Sequence, residues 1–496
     1  MATGRAPPPL RRCPVVLIGL GGADPALVQR FVGEGRMPHL RRLLARGESR
    51  TLRSAPNAVS ECGWSSLATG LNPGRHGVFY PLDRVPGTYD LRPVSADWRD
   101  GVSFWRLASD AGRRVAVLNA PLAYPAEEVQ GIFTCGAAAP AVEAAGYAWP
   151  PELAARTRVV APDFVLHPAE GGDLPPDVLL NRHVLSVRAK ARIAQQLLED
   201  EPYDFVAVFC DEITPVQELL WHHFDGEHLE HTAEGRQAFG GAIPRLYSAV
   251  DEALGAVAEV IPGDATLLVV SEHGVTRNSR GPLYLKALLR ALALEVPAAP
   301  EGSVVRRARR AAREALARLA GGRLLADTAV DYQRSRAWTE WCDGWSEPWI
   351  NVRGRDPEGI VAERGGEYAR LAEQLRELLL GLRDTRTAQL VVQSVALKEE
   401  LYTGAHLLRA PDLTIRWKDA TVVSGLRAGE AVGDLAASTD RRTGVPRPEG
   451  LLVAVGLPAA AGRLRAEPSL VDVAPTVLRL LGVGGAEAMD GVGLTE

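Results

Sequence analysis

Residues 266–275 read TLLVVSEHGV. The first five residues are β-branched or aliphatic and uncharged, which is typical of a strand that is buried on both faces of a parallel sheet. The run then stops in a serine, an acid, a histidine and a glycine. Open α/β sheets collect binding and catalytic groups beyond the carboxyl ends of their strands. We therefore take Glu272 and His273 as candidate site residues.

Other short apolar runs along the chain share the character of this strand, and segments with helical spacing separate them. The runs lie at 15–20, 115–118, 205–209 and 451–455, and the main helical segments at 25–34, 38–46, 243–260 and 469–481. Alternation of strands and helices predicts an α/β fold, in which helices cover both faces of a large, mostly parallel sheet.

Two regions depart from this alternation. Residues 81–190 are rich in proline and irregular, and residues 277–440 carry a second pattern of helices and strands. We predict a core built from 12–80, 191–276 and 441–496. The other two regions are then an irregular insertion and a second insertion that forms a cap subdomain. Within the second, Trp338, Trp341 and Trp345 have the spacing of one helical face.

The composition is that of an ordinary globular chain, with 496 residues, 46% of them hydrophobic, and a net charge of −5. This charge offers no general attraction for nucleic acid or an anionic membrane. No apolar stretch reaches the roughly 18–20 residues of a membrane span. Five scattered cysteines without a CxxC pair indicate reduced thiols, so we expect a cytoplasmic protein. Residues 306–318 predict a basic amphipathic helix, either a solvated face or a docking site for an acidic partner.

Several segments at predicted strand ends carry a family resemblance. LIGLGGADP (17–25), APNAVSECGWSSLATGLNPGRHGVF (55–79) and the stretch at 266–275 together resemble the alkaline phosphatase superfamily, specifically its type I phosphodiesterase and nucleotide pyrophosphatase branch. VFCDEITPVQELLWHHFD (208–225) and VDVAPTVLRLLG (471–482) extend the resemblance in the same order. It covers nearly the whole chain and implies an alkaline phosphatase-like core.

The resemblance also implies a dinuclear metal centre, usually of zinc, with a serine or threonine nucleophile between the ions. Two such cations about 4 Å apart would hold the attacking and leaving oxygens of an in-line displacement. In this sequence the nucleophile falls on Ser60, and the aspartate–histidine pair of one ion falls on Glu272 and His273. The aspartate that follows the first strand falls on Gly21, which has no side chain.

The ligands of the second ion are replaced as well. Its aspartate falls on Thr214, its first histidine on Glu218 and its C-terminal histidine on Pro446. Zinc prefers imidazole, thiolate and carboxylate ligands, so neither ion keeps an adequate set. We predict that the zinc centre has been lost and that the chain uses no metal and no other cofactor.

Side chains alone could then supply the chemistry. Ser60, His273 and one carboxylate would form a nucleophile, a general base and an orienting acid. We expect Glu218 as the third member, because neighbouring side chains at a strand end point apart and place Glu272 poorly for bonding to His273. In an alternative interpretation, Glu218 and Glu272 only make hydrogen bonds that keep the emptied pocket from collapsing.

The charge of the pocket separates substrate classes. Its carboxylates would repel a phosphate ester by several kcal/mol at low dielectric, whereas a neutral ester or thioester would meet no such repulsion. The sequence therefore predicts a metal-independent serine hydrolase or acyltransferase that acts on a small-molecule or carrier-bound substrate. Two alternatives remain: an inactive pseudo-phosphodiesterase that serves as a binding module, and a residual metal-dependent phosphodiesterase.

Four residues near these motifs are candidates for contact with substrate. Trp64 and Trp221 could form an aromatic wall, and Thr214 and His222 lie in the same segments. Core packing is the alternative interpretation of the two tryptophans.

Overall fold

The computed structural model describes residues 14–169, 174–199, 201–298, 330–342, 345–419, 421, 423–433 and 441–495. The basic helix predicted at 306–318 lies outside these ranges. The strands are β1 Val15–Leu20, β2 Glu48–Arg53, β3 Leu82–Arg84, β4 Leu91–Pro93, β5 Val115–Ala120, β6 Gly131–Cys135, β7 Ala148–Trp149, β8 Phe205–Cys210, β9 Thr266–Val270, β10 Gly274–Arg277, β11 Ala337–Cys342, β12 Trp345–Ile350, β13 Arg383–Asp384, β14 Val392–Leu397, β15 Leu413–Trp417, β16 Leu426–Ala428, β17 Ala431–Gly433, β18 Gly444–Arg447 and β19 Glu449–Val455.

The α-helices are α1 Pro25–Gly33, α2 Pro38–Leu44, α3 Ser60–Thr69, α4 Pro73–His76, α5 Phe104–Asp110, α6 Leu153–Val160, α7 Pro176–Glu199, α8 Ile213–Phe224, α9 Ala233–Phe239, α10 Ala242–Glu259, α11 Gly281–Ala291, α12 Glu367–Leu380, α13 Lys398–Leu401 and α14 Val473–Leu481. Among the described residues, no helix combines the length and the apolar character needed to cross a bilayer.

An eight-stranded sheet of order β2-β19-β9-β1-β8-β5-β6-β7 organises the larger part of the chain. The five strands from β9 to β6 run parallel, and β19 and β7 join them antiparallel. Helices α7 and α10 pack on each other beside the sheet, as do α5 and α14. The prediction of a large, mostly parallel sheet with helices is confirmed.

The register of the central strands brings their carboxyl ends level. Gly19 of β1 lies opposite Phe209 of β8 on one side and Val270 of β9 on the other. The residues that follow these three strands therefore emerge together at one edge of the sheet.

The predicted irregular insertion at 81–190 needs correction. Residues 115–149 supply β5, β6 and β7 to the main sheet, where β5 pairs directly with β8. The run VAVLNA of β5 is buried throughout, so its apolar side chains are satisfied only inside the main core. The other domain boundaries remain predictions.

A second hydrophobic cluster forms within 283–426, apart from the core around the main sheet. It gathers α11, α12 and strands of several small antiparallel sheets. The expected helical face of tryptophans is wrong, because β11 and β12 form an antiparallel hairpin there. Trp338 lies opposite Trp349 in this hairpin, and their rings stack with centroids 5.6 Å apart.

Candidate active site

Ser60 opens helix α3 at the edge where the central strands end. Val59 is the N-cap residue in an extended conformation, and Ala58 before it has a left-handed φ of 54°. The turn leaves Ser60 partly accessible, whereas residues 62–69 of the helix are buried. The first amide groups of a helix lack partners within the helix, so the N-terminus of α3 offers N–H donors beside the Ser60 hydroxyl.

Glu272 and His273 lie in the bend that follows β9, and both side chains are almost fully buried. The Ser271 hydroxyl donates to the His273 carbonyl at 2.7 Å and closes this bend. Ser60 Oγ lies 2.7 Å from His273 Nε2 and 2.9 Å from Glu272 Oε1. The structure thus brings together three of the predicted site residues.

A backbone group determines which tautomer of His273 fits this arrangement. His273 Nδ1 lies 2.8 Å from the Gly274 carbonyl oxygen. A carbonyl only accepts, so Nδ1 carries a proton and donates it to this oxygen. In the neutral ring Nε2 is then an acceptor, and the Ser60 hydroxyl can donate to it.

Glu272 is held by neutral groups. Its Oε2 accepts the Gly22 N–H at 3.2 Å, and its Oε1 lies 3.2 Å from His273 Nε2. Burial raises the pKa of Glu272, although His273, the Ser60 hydroxyl and the Gly22 amide each act to lower it. Gly63, one turn after Ser60, makes room for this side chain, since a Cβ at position 63 would lie 3.0 Å from Glu272 Cβ.

The expectation that Glu272 is badly placed beside His273 is wrong. It assumed that the alternation of a strand continues through both residues, but β9 ends at Val270. The bend turns the carboxylate and the imidazole towards the same hydroxyl.

The expected pairing of Glu218 with His273 also needs correction. Both ring nitrogens of His273 are engaged, one by Ser60 and the other by Gly274. Glu218 projects from α8, and its carboxylate lies 3.9 Å from Arg442. Its position on the helix therefore places it with a cation and not with the imidazole.

The remaining positions that the resemblance aligns with metal ligands are filled by ordinary packing. A Cβ on Gly21 would lie 3.0 Å from the Asp211 Cα, and Pro446 pairs with Val275 between β18 and β10. Thr214 packs against Gly22, and its buried hydroxyl has no hydrogen-bond partner among the described residues. Over that same part of the chain, no group of three or more histidine, cysteine, aspartate or glutamate side chains is arranged to hold a metal ion.

The two candidate tryptophans of an aromatic wall lie in the main hydrophobic core. Trp64 is 4% exposed and meets Phe209 edge to face, with centroids 5.3 Å apart. Trp221 donates from Nε1 to Asp225 at 3.1 Å. Both arrangements favour the alternative of core packing. His222 is half-buried, and its Nδ1 lies 3.1 Å from Thr443 Oγ1.

A buried chain of hydrogen bonds supports the Gly22 backbone and was not foreseen from the sequence. Gln217 Nε2 donates to the Gly22 carbonyl at 2.8 Å, and the Tyr247 hydroxyl donates to Gln217 Oε1 at 3.1 Å. The same hydroxyl accepts the Asp24 N–H at 3.0 Å, and Arg447 Nε donates to Asp24 Oδ2 at 2.6 Å. The only local signal was Asp24 before Pro25, which is typical of a helix N-cap.

Comparison with known proteins agrees with this architecture. The sequence profile described as type I phosphodiesterase / nucleotide pyrophosphatase matches residues 15–434. Phosphonoacetate hydrolase from Sinorhizobium meliloti 1021, solved with phosphonoacetate, is similar with a TM-score of 0.54 and 15% identity, over 95% of this chain and 96% of that chain.

An inactive variant of murine ectonucleotide pyrophosphatase/phosphodiesterase 5, solved with AMP, is similar with a TM-score of 0.50 and 11% identity, over 97% of both chains. No curated protein matches the sequence. At these identities the solved structures show a shared fold, and the profile covers most of the chain. The chain belongs to the type I phosphodiesterase / nucleotide pyrophosphatase family, whose members are phosphodiesterase-like and pyrophosphatase-like hydrolases.

Proposed function

We propose that this chain is a metal-independent serine hydrolase or acyltransferase that acts on a neutral ester or thioester. The observation that carries the proposal is the 2.7 Å separation between Ser60 Oγ and His273 Nε2. This is the hydrogen-bond distance expected between a nucleophile and its general base.

The first step transfers the acyl group to the protein. The Ser60 proton passes to His273 Nε2 while Oγ attacks the carbonyl carbon of the substrate. The tetrahedral intermediate then breaks its bond to the alcohol or thiol, and His273 returns the proton to that leaving group. In the second step, water or an acceptor alcohol or thiol gives its proton to His273 and attacks the acyl-serine. The bond from the acyl carbon to Ser60 Oγ then breaks, and His273 returns the proton to Oγ.

Two neighbours position the base for this exchange. The Gly274 carbonyl holds Nδ1–H and so keeps Nε2 directed at the serine. Glu272, 3.2 Å from Nε2, would stabilise the imidazolium that forms when the proton arrives. The free amides at the N-terminus of α3 are suitable donors for the oxyanion that develops on the substrate.

Metal independence is part of the proposal. It is supported by the residues at the ancestral ligand positions, where Gly21 has no side chain and Pro446 has no donor group to offer a metal. Glu218 has a guanidinium at 3.9 Å. Glu272 has no lysine or arginine in a salt bridge with it among the described residues, so no cation there would offset the charge of a diester's phosphoryl group.

Active-site labelling tests the proposal. A fluorophosphonate probe should label the purified wild-type chain, and Ser60→Ala should lower labelling by about 1,000-fold or more, because the nucleophile is removed. Ser65→Ala is the matched control, since it removes a buried hydroxyl from the same helix without touching the site. Its labelling should equal that of the wild type.

Two results would overturn the proposal. A wild-type chain that stays unlabelled at every pH between 6 and 9 would support the inactive binding module. Hydrolysis of bis-p-nitrophenyl phosphate that a chelator abolishes and zinc restores would support the residual metal-dependent phosphodiesterase.

A further inference from the structure

A cavity of about 650 Å³ adjoins the segment that carries Ser60. On one side it is lined by Asn57 and Ala58, which stand three and two residues before Ser60. On the other side it is lined by β15 of the second hydrophobic cluster, including Thr414 and Trp417. A ligand that fills this space would therefore contact both parts of the chain.

The lining of the cavity contains two cations without a carboxylate. Arg53 at the end of β2 and Lys418 after β15 form no salt bridge with any described residue. The other basic residues of the lining are neutralised, each with an N–O distance of 2.6–2.7 Å: Arg277 by Asp225, Arg416 by Glu449 and Arg447 by Asp24. Of the acidic residues of the lining, Glu400 pairs with Arg376, Asp490 pairs with Arg75, and the exposed Asp419 forms no salt bridge with a described residue. Arg53 and Lys418 thus exceed this one free carboxylate by one positive charge.

A buried polar group of the same wall also lacks a partner. The hydroxyl of Ser54 has no hydrogen-bond partner among the described residues, although the residue is only 7% exposed, and the hydroxyl of Thr414 has only Tyr402 beside it. A buried hydroxyl without a partner costs about 1–3 kcal/mol. Ligand atoms in the cavity would recover this cost, as would ordered water.

Glu347 adds a buried carboxyl group to this wall. It is 9% exposed, and its Oε2 accepts the Ile415 N–H at 2.9 Å. Burial raises the pKa of Glu347 well above its ordinary value. A neutral carboxyl group donates a hydrogen bond and does not repel an anion.

We infer that this cavity binds an anionic end of the substrate, a carboxylate or a phosphate, with Arg53 and Lys418 as the residues that recognise it. The neutral ester or thioester end then lies towards Ser60, away from those cations. This separation keeps the anion away from Glu272. The reacting end rests on the proposed function, whereas the anion site rests on the cavity alone.

Binding to the Ser60→Ala chain tests the inference without any turnover. Isothermal titration would compare monomethyl glutarate, which has one free carboxylate, with the neutral methyl pentanoate. We expect the anionic ester to bind at least tenfold more tightly. The double variant Arg53→Gln/Lys418→Gln should abolish this preference, and Arg50→Gln, on the same strand but outside the cavity, should retain it.

The outcomes are distinct from those of the labelling test. Equal affinity for both esters, or a preference that survives the double variant, overturns the anion site whether or not Ser60 is reactive. A preference that depends on Arg53 and Lys418 in a chain that no fluorophosphonate labels retains the anion site and rejects the hydrolase. Displacement of monomethyl glutarate by inorganic phosphate or by glutarate tells which anion the site prefers.

Discussion

Strands β8 and β9 flank β1 and end at the same edge of the sheet, yet the acids that follow them have opposite surroundings. After β8, Asp211 and Glu212 share one buried amine, Lys190, at 2.6 and 2.8 Å. After β9, Glu272 meets a hydroxyl, an imidazole and a backbone amide.

The ionisation states follow from these partners. Burial alone would lower the pKa of Lys190, but the two carboxylates raise it, so the amine stays charged. Burial raises the pKa of Glu272, and no lysine or arginine offsets that effect. A neutralised cluster has no proton to move near pH 7. The hydroxyl, the imidazole and the carboxyl group after β9 lie within 3.2 Å of one another, so a proton can pass between them, as general base catalysis requires.

The first prediction concerns the ion-paired acids that follow β8. Lys190→Met leaves the buried Glu212 and the partly exposed Asp211 without their cation. We expect a loss of about 3 kcal/mol in the free energy of unfolding, the lower end for a buried pair, because Asp211 stays partly hydrated. Urea denaturation at pH 7.5 measures it. Arg188→Met, two residues before Lys190 on α7, is the matched control. Its exposed ion pair with Glu252 should contribute less than about 1 kcal/mol. A loss for Lys190→Met as small as that control would contradict the comparison.

The second prediction concerns a substitution that displaces the Glu272 carboxylate after β9. Gly63→Val puts a branched side chain against Glu272, where even a Cβ would lie 3.0 Å from the Glu272 Cβ. We expect a destabilisation of about 1–3 kcal/mol and at least tenfold slower fluorophosphonate labelling. Gly33→Ala in α1 is the control, because a Cβ there meets no atom within 4 Å. Unchanged labelling in Gly63→Val would argue against a role for Glu272.

The third prediction uses pH. A carboxyl group whose folded pKa is raised binds its proton more tightly in the folded state, so stability falls as pH rises from the unfolded pKa to the folded pKa. The slope approaches about 1.4 kcal/mol per pH unit for one proton. Glu272→Gln should lose the contribution of Glu272 to this pH dependence of stability. At pH values above the folded pKa of Glu272, the variant should be more stable than the wild type, as measured by denaturation between pH 4 and 9.

Glu34 is the control for this experiment, because its pKa is shifted in the direction opposite to that of Glu272. Hydrogen bonds from Arg30 and Arg36 lower its pKa, so its contribution is lost as pH falls. Glu34→Gln should therefore leave the decline above pH 5 in place. A Glu272→Gln variant that tracks the wild type at every pH would show that the buried acid is not the source of the decline.

The smallest effect is expected at Thr214, between the two strand ends. Its hydroxyl is buried without a partner, and valine has nearly the same shape. We expect Thr214→Val to change stability by no more than about 1 kcal/mol, towards higher stability, and to leave labelling unchanged. A tenfold loss of labelling would instead show that the hydroxyl serves the reaction.

The amino-acid pattern predicted the structure correctly where a strand's burial can be inferred from its own residues. Runs such as Val15–Leu20 and Thr266–Val270 have no polar face, so they predicted buried parallel strands and, with them, the edge where Ser60 and His273 meet. It predicted the strand at 115–118 but assigned it to an insertion outside the core, because membership of a sheet depends on the strand it pairs with and not on its flanks.

The sequence alone thus determined the class of fold and named Ser60, Glu272 and His273 as candidate site residues, since strand burial and the position of polar residues after a strand are local properties. The tertiary structure decided the rest. Ser60 and Glu272 are 212 residues apart, and their contact depends on the end of β9 and on the space above Gly63. Such contacts arise from the packing of distant segments, and no short-range pattern encodes which carboxylate reaches the serine.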